Sequence, residues 1–319
     1  MRSIVELVQA GGTGWNATTN ANELAEWAKE VIKRAAANTK AEAVLGAAGR
    51  VYTIKGNYFR VPIIKKMTEP TTWTYTAGTE LESEDFDLSA VNLPLVRYGF
   101  KTEISEDALK DFAFIDMPIG DMIKDEMTTW LAEKKDKLIL QAFANSTVTS
   151  LTVPYVIAGT DNTVDAGDVL TPALFNEAVT KIRENNRGVE GQLYAFLHPR
   201  QIKALRDDEQ FTNASEYGSN EVVMTGEIGK YLGVKIIETT SVAQYNGTSS
   251  SPVGSFTTTG YEGVLVDSKY SIAVATNDPL RIEVDYDPSK LIHEINASFT
   301  YAVGKIDNNA ICLILSAKA

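Results

Sequence analysis

The stretch from Pro118 to Asn145, PIGDMIKDEMTTWLAEKKDKLILQAFAN, constrains the fold of this chain more than any other. Ile119, Met122, Ile123, Met127, Trp130 and Leu131 recur at helical spacing, and Leu138 and Ala142 resume the stripe after a charged step at Lys134. One apolar face with a 3.6-residue period predicts a helix. Asp116 is its expected N-cap, Pro118 sits in the first turn where a missing N–H costs nothing, and no second proline follows before Asn145. At a rise of ~1.5 Å per residue it is about 40 Å long. Such a helix is a strut, and the rest of the chain has to pack along it or reach away from it.

With 319 residues and 44% of them hydrophobic, the chain can bury one large core or two ordinary ones. No run of apolar residues is long enough to span a membrane, and Met1–Ala10 lacks the basic start and apolar block of a secretory signal. The expectation is a cytoplasmic product. Cys312 is the single cysteine, which excludes internal disulfides and thiolate metal clusters, and its place in the apolar run Ile311–Leu315 reads as a small buried hydrophobe. Thirty basic residues against forty-two acidic ones give a net charge of −12, with no dense Lys/Arg patch. That balance argues against tight binding of nucleic acid through its phosphates. Asn16, Asn145, Asn213, Asn246 and Asn296 start N-x-S/T triplets, which in a Ser/Thr-rich chain are attributed to chance.

In chain order, residues 1–21 are polar and glycine-rich and read as a flexible arm, followed by a helix from Asn22 to about Ala37 and Ala-rich sequence to Gly49. Val51–Glu103 is β-like: Val51, Thr53 and Tyr58–Ile64 read as one strand, Trp73 and Tyr75 alternate with threonines, and Val91, Leu93 and Leu95 alternate on the return. Pro62 and Pro94 confine these strands to an edge. Glu80, Glu82, Glu84, Asp85 and Asp87 crowd its tip, read as a solvated acidic face rather than a calcium loop. The alternation changes parity at Val96, Tyr98 and Phe100, as at a bend where an arm leaves the body. Ser105 starts a short helix. Leu151–Gly167 is strand and turn, Thr171-Pro172 opens a helix that Gly188 closes, Gln192–Leu197 is a strand, and His198-Pro199-Arg200 turns into another helix. Strands and helices alternating over roughly 150–280 describe an α/β body. Asn246–Gly260 reads as a polar loop. The late strands at Ile282–Tyr286, Phe299–Val303 and Ile311–Leu315 have no helices between them and are expected to pair with the strand from Val96 to Glu103 beside the long helix.

No catalytic, cofactor-binding or metal site is expected. His198 and His293 are the two histidines, each without sequence partners for a nucleophile or a metal, and both read as packed or hydrogen-bonded. No P-loop, G-x-S-x-G elbow or H-E-x-x-H is present.

AFLHPRQIKALRDDEQF, from Ala195, and EYGSNEVVMTGEIGKYLGVKIIETT, ending at Thr240, resemble the HK97-fold major capsid proteins of tailed viruses, and most closely the N4-gp56-type major capsid family. The motif elements are the strand Phe196–Leu197, the turn His198-Pro199, the helix Arg200–Asp208, Gly226–Gly229 and Gly233–Thr239. The resemblance implies an α+β, HK97-like capsid fold: N-terminal arm 1–50, extended β-hairpin E-loop 51–95, P domain with its spine helix 96–150, α/β A domain 151–280, and return strands of the β-rich P domain 281–319. It implies a structural subunit that self-assembles as hexamers and pentamers into an icosahedral head around double-stranded DNA. The implied partners are copies of itself, with portal, scaffolding and decoration proteins beside them, and the implied location is the virion, assembled in the host cytoplasm. Arg60, Lys65, Lys66, Trp73, Tyr75, Glu80, Glu82, Glu84, Asp85 and Asp87 on the hairpin are the expected intersubunit contacts, and Lys65 or Lys66 is the place for the isopeptide bond that some members form. The alternatives are an encapsulin-like compartment with an interior groove for a cargo peptide, and a carboxylate-based hydrolase on the α/β body.

Overall fold

The structure, a computed structural model, describes residues 39–56, 58–64, 88–105, 107, 119–144, 153–185, 192–207, 230–251, 254–277 and 281–318. The expected helix from Asn22, the hairpin tip, most of the helix after Ser105 and the Gly226–Gly229 stretch lie outside the described residues. The elements, in order, are α1 (Ala41–Ala47), β1 (Val51–Thr53), β2 (Tyr58–Ile64), β3 (Leu88–Pro94), β4 (Val96–Ser105), α2 (Ile119–Ala144), β5 (Tyr155–Ile157) and β6 (Thr163–Val164). They continue with α3 (Pro172–Glu184), β7 (Leu193–Leu197), α4 (Pro199–Arg206), β8 (Lys230–Tyr231), β9 (Val234–Glu238), β10 (Ala243–Tyr245), β11 (Ser249–Ser250) and β12 (Ser255–Phe256). The last are β13 (Gly260–Asp267), β14 (Ile272–Thr276), β15 (Arg281–Asp287), β16 (Ile292–Lys305) and β17 (Ile311–Ala317).

The long helix is present as α2, and its buried face takes in the expected stripe, with Ile123, Trp130, Leu138 and Ala142 packed against the core, but is wider than that stripe. Met127, Leu131, Ile139 and Phe143 are buried at four-residue multiples, while Leu138 and Ala142 are only partly covered. The reason is that α2 packs on several sides at once: against β16, β13 and β17, and against α1. Trp130 sits 5.0 Å from the Phe100 ring and 5.9 Å from Phe299, on the β4 and β16 side. On the α1 side the charged step closes over, and Asp136 is 5% exposed.

Asp136 explains α1, which sequence pattern does not reveal. Seven residues, AEAVLGA, are too few to show a period, and Lys40 at the N-cap makes no side-chain cap. Its first N–H groups go instead to the strut: Lys40 N donates to Asp136 Oδ2 at 3.0 Å and Ala41 N to Oδ1 at 3.1 Å. The adjoining residues Lys135 and Glu42 pair at 3.1 Å. At the other end Gly49, at φ 69°, closes a Schellman motif, with Arg50 N on Leu45 O and Gly49 N on Gly46 O. Burial pushes the Asp136 carboxyl above its ordinary 3.8, against the pull of the backbone N–H groups. A carboxylate raised in the folded state contributes stability that is complete below about 3.8 and is lost as pH rises through the folded value. Urea unfolding across this range should therefore show a falling limb in the native protein that Asp136→Asn flattens, and Asp136→Ala should cost about 2 kcal/mol by orphaning two donors.

Two sheets share this helix. In the five-stranded one β16 is central: β4 pairs along one side from Val96↔Tyr301 to Ser105↔Ile292, while β15 and then β14 pair along the other, with β1 parallel to β14. The expected pairing of the late strands with Val96–Glu103 is observed for β16, whereas Ile282–Tyr286, in β15, joins the same sheet only through β16. It does not hold for Ile311–Leu315. That strand, β17, lies in the seven-stranded sheet between β13 and β5, in the order β5-β17-β13-β7-β9-β8 with β10 on β13. All seven of its residues are buried, which suits a central strand covered by α3 and α2 on opposite faces. Cys312 lies in it as a packed thiol, which burial pushes up to about 12.

Helix α3 follows expectation: Thr171 Oγ1 accepts from Leu174 N at 3.3 Å, Pro172 takes the first turn, and Phe175, Ala178, Val179 and Ile182 are buried. The described helix ends at Glu184, before the Gly188 assigned as its stop, and residues 186–191 lie outside the described residues.

Candidate assembly surface

The hairpin β2–β3 is antiparallel from Tyr58↔Pro94 to Ile64↔Leu88. Alternation gives it two unlike faces. Phe59, Val61, Val91 and Leu93 turn to the body, where Val61 (4% exposed) and Leu93 (2%) join Ala273, Ala275 and Ala302 in a separate cluster on the outer face of β14 and β16. Gly304 on β16 makes the seat, since a Cβ there would collide with Leu93 Cδ2. The other face carries Tyr58, Arg60, Pro62, Asn92 and Pro94, all exposed, Tyr58 at 69%. Both prolines are tolerated because each strand of a two-stranded ribbon is an edge.

One expectation changes here. Val51–Thr53 is not part of the hairpin but a strand of the body sheet, separated from β2 by Gly56 at φ 139°, a conformation that only glycine adopts readily. The root of the arm is seated on the body. Ile54 N donates to Thr276 O, Asn277 Nδ2 to Gly56 O at 2.8 Å and Arg50 Nε to Lys269 O. The parity switch falls at Leu95, between β3 and β4, as expected of a bend. Of the expected contact residues Arg60 is described, exposed on the outward face opposite Asn92. Lys65, Lys66, Trp73, Tyr75, Glu80, Glu82, Glu84, Asp85 and Asp87 lie outside the described residues.

Asn246–Gly260 is not a free polar loop. β11 pairs with β12, and β12 runs parallel to β6. Phe256 is fully buried and stacks on Tyr245 at 4.7 Å. A cross-link holds this flap to β13: Glu262 Oε2 accepts from Tyr245 Oη at 2.8 Å and Ser251 Oγ at 2.9 Å. Glu262 is completely buried, which raises its carboxyl, and the hydrogen bonds from Tyr245 and Ser251, then the Lys305 charge, only partly offset this. Burial and the Glu262 charge together raise the Tyr245 hydroxyl.

The His-Pro turn of the motif proves to be a capping device. His198 Nδ1 accepts from Arg200 N at 3.2 Å, Gln201 Oε1 accepts from His198 N at 3.1 Å, and the imidazole stacks on Tyr261 at 3.8 Å. Burial, then the Arg200 charge, holds His198 below its usual 6.5, in the neutral form that can accept. Gln201, fully buried, was not singled out by sequence, because its partners Tyr261 O and Ser316 Oγ lie far along the chain. His293 is buried in β16 beside Tyr286.

Two clefts remain. One of about 610 Å³ lies between β5 and α3, where Lys181 is committed to Tyr155 O at 2.8 Å and to Glu177 at 3.2 Å. The other, about 370 Å³, lies between α2 and the end of β9, where Lys40 Nζ donates to Glu238 O and Asp136 serves α1. These charges hold elements together. Among the described residues no group of three or more His, Cys, Asp or Glu is placed to hold a metal ion.

Comparison with known proteins agrees with this architecture. The fold is similar to the capsid protein in the acid-stable capsid of Helicobacter pylori bacteriophage KHP30, with a TM-score of 0.63 at 14% identity over 84% of this chain and 87% of that one. It is similar to that of cyanophage P-SCSP1u, with a TM-score of 0.60 at 18% identity over 84% and 86%, and to that of cyanophage Pam1, with 0.60 at 14% over 85% and 92%. No curated protein shows significant similarity to the sequence. The family model described as phage capsid protein matches residues 89–314, well over half of the chain. The long helix, the two sheets that share it and the seated hairpin are therefore those of a capsid subunit, and the chain belongs to the phage capsid protein family.

Proposed function

We propose that this phage capsid protein is the major subunit of an icosahedral head, assembling as hexamers and pentamers around double-stranded DNA, without sequence-specific contacts and without catalysis. The observation that carries this reading is the hairpin: its root is seated on the body, while its outward face offers Tyr58, Arg60 and two prolines to solvent. An outward apolar and basic ribbon suits a neighbouring subunit as its cover. The division into N-terminal arm, E-loop, P domain with spine helix, A domain and return strands is part of the proposal, as are contacts through Lys65, Lys66, Trp73, Tyr75, Glu80, Glu82, Glu84, Asp85 and Asp87. The finer assignment to the N4-gp56-type branch is supported by the His-Pro, Gly-Glu-Ile-Gly and Gly-Val-Lys-Ile-Ile-Glu-Thr order in the sequence. The net charge of −12 fits a wall that encloses DNA without adsorbing it.

The test is to express the full chain and examine it by sedimentation and negative-stain electron microscopy. Closed shells or rings of five and six subunits are expected. A chain that remains monomeric at every concentration would sink the reading, and shells loaded with a protein cargo in place of DNA would shift it to a cellular compartment.

A further inference from the structure

Among the described residues four non-glycine residues have positive φ. Asp161 (φ 51°) and Asn162 (φ 58°) are of the types that tolerate this conformation through local hydrogen bonds. Leu232 (φ 50°) and Leu291 (φ 53°) are not. Each stands at a hairpin tip. Leu232 and Gly233, at φ 84°, form the two-residue turn between β8 and β9, where Asn-Gly is the expected pair. Leu291 ends the turn between β15 and β16, which Asp287 braces by accepting from Ser289 N at 2.9 Å and Ser289 Oγ at 2.6 Å.

Neither leucine recovers its strain by burial inside the subunit. Leu232 is 40% exposed and Leu291 55%, and the only other large hydrophobic side chains exposed among the described residues are Tyr58 and Val96, at the root of the hairpin arm. Asparagine or glycine at either tip would relax the backbone and remove apolar surface from water, so a leucine there serves something outside the subunit. The surroundings indicate what that is. Lys230 and Lys235 face each other beside Leu232, and Arg183 Nη2 donates to its carbonyl at 2.9 Å, so this tip has a basic collar. Around Leu291, Asp285, Asp287, Glu294 and Glu103 outnumber Lys101 and Lys290, so that collar is acidic. A chain that carries both signs at its projecting tips complements other copies of itself.

We propose that Leu232 and Leu291 are apolar contact knobs, kept in strained backbone at the hairpin tips because each packs into a neighbouring copy of this chain. The inference rests on the shell reading above. The test uses the full-length Leu232→Asn and Leu291→Asn variants, measuring thermal unfolding of the unassembled subunit and the concentration at which shells form. Each variant is expected to unfold about 2 °C higher than the native protein, through relief of strain, and to need roughly tenfold more protein to assemble. Variants that are stabilised yet assemble at the native concentration would overturn the contact role. Variants that are no more stable would overturn the strain argument. A native chain that fails to assemble at all would instead overturn the shell reading on which both depend.

Discussion

Leu93→Asp is expected to yield a soluble subunit that no longer closes into shells. Leu93 is 2% exposed and stands over Gly304, so an aspartate there would be an unpaired charge buried against β14 and β16, at a cost of about 4 kcal/mol. The hairpin can avoid that cost by lifting off. Its apolar cluster with Ala273, Ala275 and Ala302 is separate from the two larger cores on which the sheets and α2 depend. The body should therefore keep a cooperative unfolding transition while the hairpin root becomes open to protease, and sedimentation should show subunits without shells. A milder pair isolates the contact. Leu93→Ala removes the side chain that a Cβ at Gly304 would strike, so Gly304→Ala should cost about 2 kcal/mol in the native background and close to nothing beside Ala at 93. Normal shells from Leu93→Asp would show that the seat of the hairpin is irrelevant to assembly.

Local chemistry was legible in the sequence wherever the deciding partners are close along the chain. Thr171-Pro172 marks the start of α3 because both act within one turn, and the parity change at Leu95 marks the bend because alternation is a two-residue property. The long helix was legible from its period, and the Phe299–Val303 part of β16 from its alternation. What escaped was set by distant partners. Helix α1 exists because Asp136, some ninety-five positions away, accepts its first N–H groups. β17 reads as a buried strand, but an all-apolar strand carries no face preference, so nothing local assigns it to β13 and β5 rather than to β16. Val51–Thr53 and Tyr58–Ile64 read as one strand since the break is a single glycine whose φ of 139° leaves no compositional trace. The candidate surface was legible as an edge hairpin through its prolines, whereas the seat beneath it depends on Gly304 and the alanines of β14, residues that look unremarkable in the sequence.

Gln201→Leu is expected to be among the most destabilising isosteric changes in the protein, by about 3 kcal/mol. The side chain is fully buried and joins three elements: Oε1 accepts from His198 N at 3.1 Å, and Nε2 donates to Tyr261 O at 3.3 Å on β13 and to Ser316 Oγ at 2.9 Å on β17. Gly263 leaves room for it, since a Cβ there would approach Gln201 Oε1 to 2.9 Å. Leucine fills nearly the same volume and so leaves no large cavity, but it abandons a backbone donor and a backbone acceptor away from water, at roughly 1–3 kcal/mol each. The contrast with His198→Ala separates this from an ordinary cap, because that change removes one acceptor at a partly exposed helix start and should cost about 1 kcal/mol. Gln201→Glu sharpens the argument through its sign. The new carboxylate still accepts from His198 N but cannot donate to Tyr261 O until it is protonated, and burial raises its pKa, so this variant should regain stability as pH falls while Gln201→Leu does not. Urea unfolding of the three variants at neutral and acid pH measures all of this. Equal, pH-independent losses in Leu and Glu would mean that the volume of Gln201, rather than its hydrogen bonds, ties helix α4 to the seven-stranded sheet.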